Sequence, residues 1–158
     1  MEIKKDEFRI STDKHQLQID VIHRYLTEEA YWTTGRTQAM TEKTIEHSLC
    51  FGVYFHDQQV GFARVVTDFS IFAYLCDLFI LSEYQGQGLG KWLIEVMLGV
   101  LDEEGVRWSM LATRDAHELY EEYGGFQKLH LPEKWMGRVN PRLLRSSGQP
   151  YSVPGGGL

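Results

Sequence analysis

The stretch FILSEYQGQGLGKWLIEVML, Phe79 to Leu98, sets Gly86, Gly88 and Gly90 between an apolar run and an amphipathic one. A strand, a glycine turn and a helix N-terminus in that order make an anion site. The first N–H groups of the helix have no partner within it, and the helix dipole adds partial positive charge. Glycines let a phosphate approach that backbone without Cβ clashes. A single glycine there reads as a tight turn; this cluster reads as a cradle for phosphate or diphosphate. Spacing argues against two phosphate motifs. A P-loop needs a glycine where Gln85 stands and a Ser or Thr where Trp92 stands. The dinucleotide fingerprint G-x-G-x-x-G needs its third glycine one residue later and a parallel βαβ unit ahead of it.

The rest of the chain gives the loop its setting. EFRIST is a first short strand. Leu17, Val21, Ile22, Tyr25 and Leu26 recur at helical spacing, and TEKTIEHS predicts a second helix over 41–48 capped by Thr41. LCFGVYF, QVGFARVVT and IFAYLCDLFIL, linked by HDQ and DFS, read as an antiparallel meander. The third run is almost continuously apolar, as in a strand covered on both faces. Leu89, Trp92, Leu93, Val96, Met97, Val100 and Leu101 then mark a strong helix ended by Gly105. RWSMLAT predicts a strand, and Asp115 a cap for a shorter helix with Ala116, Leu119, Tyr120 and Tyr123 on one face. Gly124–Gly125 stops that helix and FQKLHL is a final strand. Residues 1–145 form a single domain of a size that buries its own core, and 146–158 are expected to be a disordered tail.

Gln85-Gly86-Gln87-Gly88-Leu89-Gly90 matches the Q/R-x-x-G-x-G/A acyl-CoA signature, and the chain resembles the GNAT acetyltransferase superfamily from about Phe8 to Arg138. AHELYEEYGGF, Ala116 to Phe126, is similar to that family's A-x-x-L-Y-x-x-x-G-F segment, with one extra glycine. The Asn often found three residues before that alanine is Thr113. Within the superfamily, GFARVVTD, FAYLCDLFIL and DAHELY resemble a bacterial subgroup of small proteins. The resemblance implies an α/β (α+β) GNAT fold, with a mixed sheet of about six to seven strands flanked by about four helices.

It also implies acetyl-CoA as the bound group. Amides of Gln85, Gly86, Gln87, Gly88, Leu89 and Gly90 would take the diphosphate, with Lys91 either adding charge beside it or standing as a solvated helix lysine. Backbone groups of Leu78, Phe79, Ile80 and Leu81 would line the pantetheine arm where two strands splay. An N–H near Phe79 or Ile80 would stabilise the developing oxyanion as a neutral amine attacks the thioester. Tyr120 would assist the departing thiolate, unless it is simply core; His117 would touch the coenzyme, relay a proton, or face solvent.

Asp77 is a lone carboxylate in an apolar strand, where an unpaired charge is costly. It is a candidate general base, or else a carboxylate paired to Arg64 or Arg114. Glu83 is expected to be an exposed turn residue. The acceptor pocket would be roofed by the N-terminal helices and their link. Tyr31 and Trp32 would supply aromatic walls there, and Arg36 and Arg64 would contact the acceptor; core packing and surface charge are the plain alternatives.

The reading that results is an acetyl-CoA-dependent N-acetyltransferase for a small amine. Its alternatives are a non-catalytic acyl-CoA sensor and an enzyme acetylating a protein amine. A net charge of −6 with no Lys/Arg cluster argues against nucleic acid, and no run has the ~18 apolar residues of a membrane span. With no signal-like N-terminus and Cys50 and Cys76 within apolar runs, the chain reads as cytoplasmic, without a disulfide or metal site. A homodimer is left open.

Overall fold

Runs of alternating or continuous apolar character in the middle of the chain need neighbours on both sides, and they obtain them from one another. In the computed structural model, which describes residues 1–30, 35–138 and 140, β3 (Leu49–Phe55), β4 (Gln58–Thr67) and β5 (Phe72–Ile80) pair antiparallel in sequence order. The expected first strand is β2 (Phe8–Ser11), which pairs with β3. An unexpected β1 (Glu2–Lys5) forms a hairpin with it. β1 is exposed throughout and reads EIKK, so it carries no apolar alternation to announce it. β6 (Trp108–Leu111) joins the far edge parallel to β5. The six strands therefore lie in chain order, with one parallel step at the end.

Helices cover both faces. α1 (Ile19–Glu28) and α2 (Gln38–Glu46) lay Ile22, Leu26 and Ile45 against Cys50, Phe62 and Phe79. α3 (Leu89–Glu103) packs Leu89, Trp92, Leu93, Val96, Met97 and Leu101 on Phe51, Val53, Ala63, Val65 and Leu75 of the opposite face. α4 (His117–Gly124) lies against α3. This mixed sheet between helices is the α/β arrangement expected.

Three boundaries differ from expectation. α2 begins three residues before Thr41; its cap is Thr37, whose Oγ1 accepts from Met40 N at 3.2 Å, while Thr41 is fully buried inside the helix. α4 is not capped by Asp115. Thr113 instead accepts from the N–H of the N-cap residue Ala116 through Oγ1 at 3.1 Å, and no side chain caps the helix's first turn. Finally, FQKLHL forms no strand. Gly125, at φ +64°, ends α4, and Phe126 is drawn back onto it: its N–H donates to Tyr120 O at 3.2 Å and its ring meets the Tyr120 ring edge-on. The chain thus turns around the helix end instead of continuing to the sheet, and β6 is the edge strand among the described residues. No described helix is long and apolar enough to cross a membrane.

Candidate active site

β5 carries one residue too many for its partner. Phe62 opposes Phe79 but Arg64 opposes Cys76, so Ala63 faces both Asp77 and Leu78. The extra residue is a β-bulge, and Asp77 takes a φ of +54°, a conformation unfavourable for a residue with a side chain. A bulge also switches which face successive side chains occupy. Leu75 points to the α3 side; from the bulge onward Asp77 and Phe79 both point to the α1–α2 side. Opposite, Gly61 has no room for a Cβ, which would fall 2.9 Å from Phe79 O, so the two strands close tightly just past the bulge.

Asp77 is 5% exposed, and its Oδ2 accepts from Arg64 Nε at 2.8 Å and from Arg36 Nη2 at 3.0 Å. Arg64 also donates to Ser48 Oγ at 3.1 Å, and Arg36 to Thr44 Oγ1 at 3.2 Å. Burial pushes the Asp77 carboxyl upward, but Arg64's charge and the Arg36 hydrogen bond outweigh it and hold the group below its ordinary value. A carboxylate held in this way is a poor proton acceptor. The pairing alternative for Asp77 is therefore met by Arg64, with Arg36 as the unforeseen second partner; Arg114 instead pairs with Asp115. Thr44 and Ser48 were missed by sequence reading. They stand with Thr41 at near-helical spacing, a polar stripe in the α2 region.

The glycine loop joins β5 to α3. Gln85 ties it back through a bond from Nε2 to Ile80 O at 2.9 Å. Gly86 and Gly88 have φ of +76° and +77°, and Gly88 is the N-cap of α3 with no side chain closing the helix. None of the amides from Gly86 to Lys91 donates to an acceptor among the described residues, whereas Trp92 N opens the helical ladder on Gly88 O. At Gly86, Gly88 and Gly90 a Cβ would meet nothing within 4 Å. The loop is an uncapped, open set of donors, and it fits a diphosphate. Lys91 is exposed; its ammonium lies over the Tyr123 ring, 4.2 Å from the centroid, and bonds its hydroxyl. Glu83 is exposed in the short turn before the loop.

β5 and β6 pair only from Phe72–Leu75 against Trp108–Leu111. Cys76 to Ile80 run on without a β6 partner, so the strands part beside the bulge. Leu81 is differently placed: its N–H donates to Val60 O at 2.8 Å. Beyond β6, a cavity of about 920 Å³ is lined by Met110, Leu111, Thr113, His117, Tyr120 and Phe126, among others. His117 and Tyr120 border it; the loop, Asp77, Arg36 and Arg64 do not. Tyr31 and Trp32 lie outside the described residues, as does the 146–158 tail.

Residues 18–126 match the Acetyltransferase (GNAT) family. A protein of Gibberella zeae, provisionally named as an acetyltransferase, is 30% identical over 136 residues, 73% of this chain and 77% of its own length. A Xanthomonas campestris protein provisionally assigned to the GNAT acetyltransferases has a crystal structure that superposes with a TM-score of 0.80 at 41% identity, covering 86% of this chain and 95% of that one. A GNAT family acetyltransferase from Elizabethkingia anophelis, solved with acetyl-CoA bound, shares the fold at a TM-score of 0.57 and 14% identity, covering 75% of this chain and 76% of that one. Uncapped loop, bulged strand and parted sheet edge thus occur in a chain that belongs to the GNAT acetyltransferase family.

Proposed function

We propose that the protein transfers an acetyl group from acetyl-CoA to the primary amine of a small molecule, by direct attack within a ternary complex. The observation that carries this reading is the row of amides at Gly86 to Lys91 with no partner among the described residues, opening α3 beside a strand whose outer edge is unpaired beyond Leu75. When bound, acetyl-CoA supplies an activated thioester. The loop amides hold its diphosphate, and Lys91, in the first turn of α3, adds charge beside it. Leu78, Phe79 and Ile80 offer backbone groups to the amide-rich arm, and an N–H near Phe79 or Ile80 stabilises charge developing on the thioester oxygen. Tyr120 Oη supplies a proton or hydrogen bond to the sulfur, with His117 close to it in sequence on the same helix. Asp77 acts as an anchor for Arg36 and Arg64, leaving water to carry the proton from the attacking amine. Arg36 and Arg64 belong to the acceptor side, with Tyr31 and Trp32 as its aromatic walls.

The test is twofold. Millimolar CoA is expected to raise the melting temperature, since a ligand that binds only the folded state stabilises it by mass action. Free-thiol release from acetyl-CoA across an amine panel is expected to depend on the amine. Strong CoA binding with no amine-dependent release would favour the sensor alternative. Release with a protein N-terminus or lysine, and with no small amine, would favour a protein acceptor.

A further inference from the structure

The ion cluster at the bulge is one anion short. Arg36 and Arg64 share a single carboxylate oxygen, Asp77 Oδ2, and among the described residues neither has another carboxylate within 4.0 Å. Their side chains are only 10% and 9% exposed. Arg64 also bonds Ser48, and Arg36 Nη2 also reaches Thr44, but Arg36 Nη1 is buried with no hydrogen-bond partner among the described residues. An unpaired guanidinium N–H away from water is costly until something accepts it, and a buried excess charge calls for a counter-ion.

Building on the amine-acetyltransferase reading above, we propose that the acceptor carries a carboxylate as well as its amine, and that Arg36 Nη1 holds that carboxylate. The class is amino-acid-like: a zwitterion in which the anion pairs with the surplus guanidinium. The same surplus disfavours an acceptor that is only a cation. Arg36 is the residue on which this selectivity rests, because Asp77 fixes it to the strand on which the proposed acyl site lies.

The experiment compares matched amines: L-histidine with histamine, L-tyrosine with tyramine, and L-lysine with cadaverine, each read by thiol release from acetyl-CoA. In any pair that turns over, the carboxylate-bearing member is expected to have a kcat/KM about tenfold or more higher. Arg36→Met is expected to erase that preference through the acceptor KM, and Arg36→Lys to keep part of it. A CoA-dependent rise in melting temperature reports whether each variant is folded. Equal or better rates for the decarboxylated amines would overturn the proposal while leaving amine acetylation standing, and this comparison needs no variant. Retention of the wild-type preference by Arg36→Met would overturn the role of Arg36. No thiol release with any amine would overturn the proposed function and this inference together.

Discussion

Tyr25 of α1 stacks on Phe79 of β5 with ring centroids 3.8 Å apart and planes 10° from parallel. The contact pins the first helix to the strand two residues past the bulge, so the roof of the candidate site and its floor are one packed unit. Phe79 also touches Phe62 across the sheet at 6.1 Å and is 3% exposed. Phe79→Ala is expected to cost about 3–5 kcal/mol of stability, as for other buried aromatic truncations. A double-mutant cycle with Tyr25→Ala, followed by urea unfolding, should return a coupling of about 0.5–1.5 kcal/mol. Strict additivity would mean the stack contributes nothing beyond area.

Gly90 separates ligand approach from fold. It lies inside α3 with open space at its Cβ position. Alanine there is expected to raise stability by up to about 1 kcal/mol through helix propensity, yet to weaken CoA binding by crowding the diphosphate. Gly88→Ala should do worse on both counts, because φ of +77° costs a residue with a Cβ about 1–2 kcal/mol. Thermal unfolding with and without CoA reads both effects. Unaltered CoA stabilisation in Gly90→Ala would remove the loop from the cofactor site.

Tyr120→Phe keeps the edge-on ring contact with Phe126 and deletes only the hydroxyl. On the proposed role, kcat is expected to fall about 100-fold with little change in the melting temperature. A kcat equal to the wild type would take Tyr120 out of the mechanism.

Asp77 makes a prediction about acid. Its folded-state value lies below the ordinary carboxylate value of 3.8, so the unfolded chain binds the proton more readily. The stability it contributes is complete above that ordinary value and is lost as pH falls through the lower, folded one. At pH 7, Asp77→Asn is expected to cost about 3–5 kcal/mol, since it leaves two buried guanidinium groups without their anion. The deficit relative to wild type should shrink progressively as pH falls below 3.8. Denaturation curves at pH 7 and at successively lower pH below 3.8, down to the limit of folding, with an undiminished gap throughout would show that Asp77 acts through shape alone.

Much of the fold was legible because its signals are local. β-rich and continuously apolar runs from Leu49 to Ile80 gave three strands, the i, i+3, i+4 pattern from Leu89 gave α3, and Gly105 and Gly125 ended helices where φ must be positive. The last strand was misread because FQKLHL has strand-like residues, but Phe126 gains more by folding back on Tyr120. Thr41 was misread as a cap because a Thr before an apolar-periodic run looks the same whether it opens the helix or lies buried within it. β1 carries too little apolar contrast to be seen at all.

The sequence by itself determined the open glycine loop. Glycines at 86, 88 and 90 ahead of an amphipathic helix leave backbone donors open whatever surrounds them, because that property is set by neighbours along the chain. The polar core of the site was decided only in three dimensions. Arg36 and Asp77 are 41 residues apart, and Asp77 reaches Arg36 and Arg64 on the α1–α2 face through a bulge that changes strand parity. No periodicity within β5 encodes that switch, since it depends on the register of β4 alongside it. The physical reason is that a one-residue offset between paired strands moves a charge from one face of the sheet to the other.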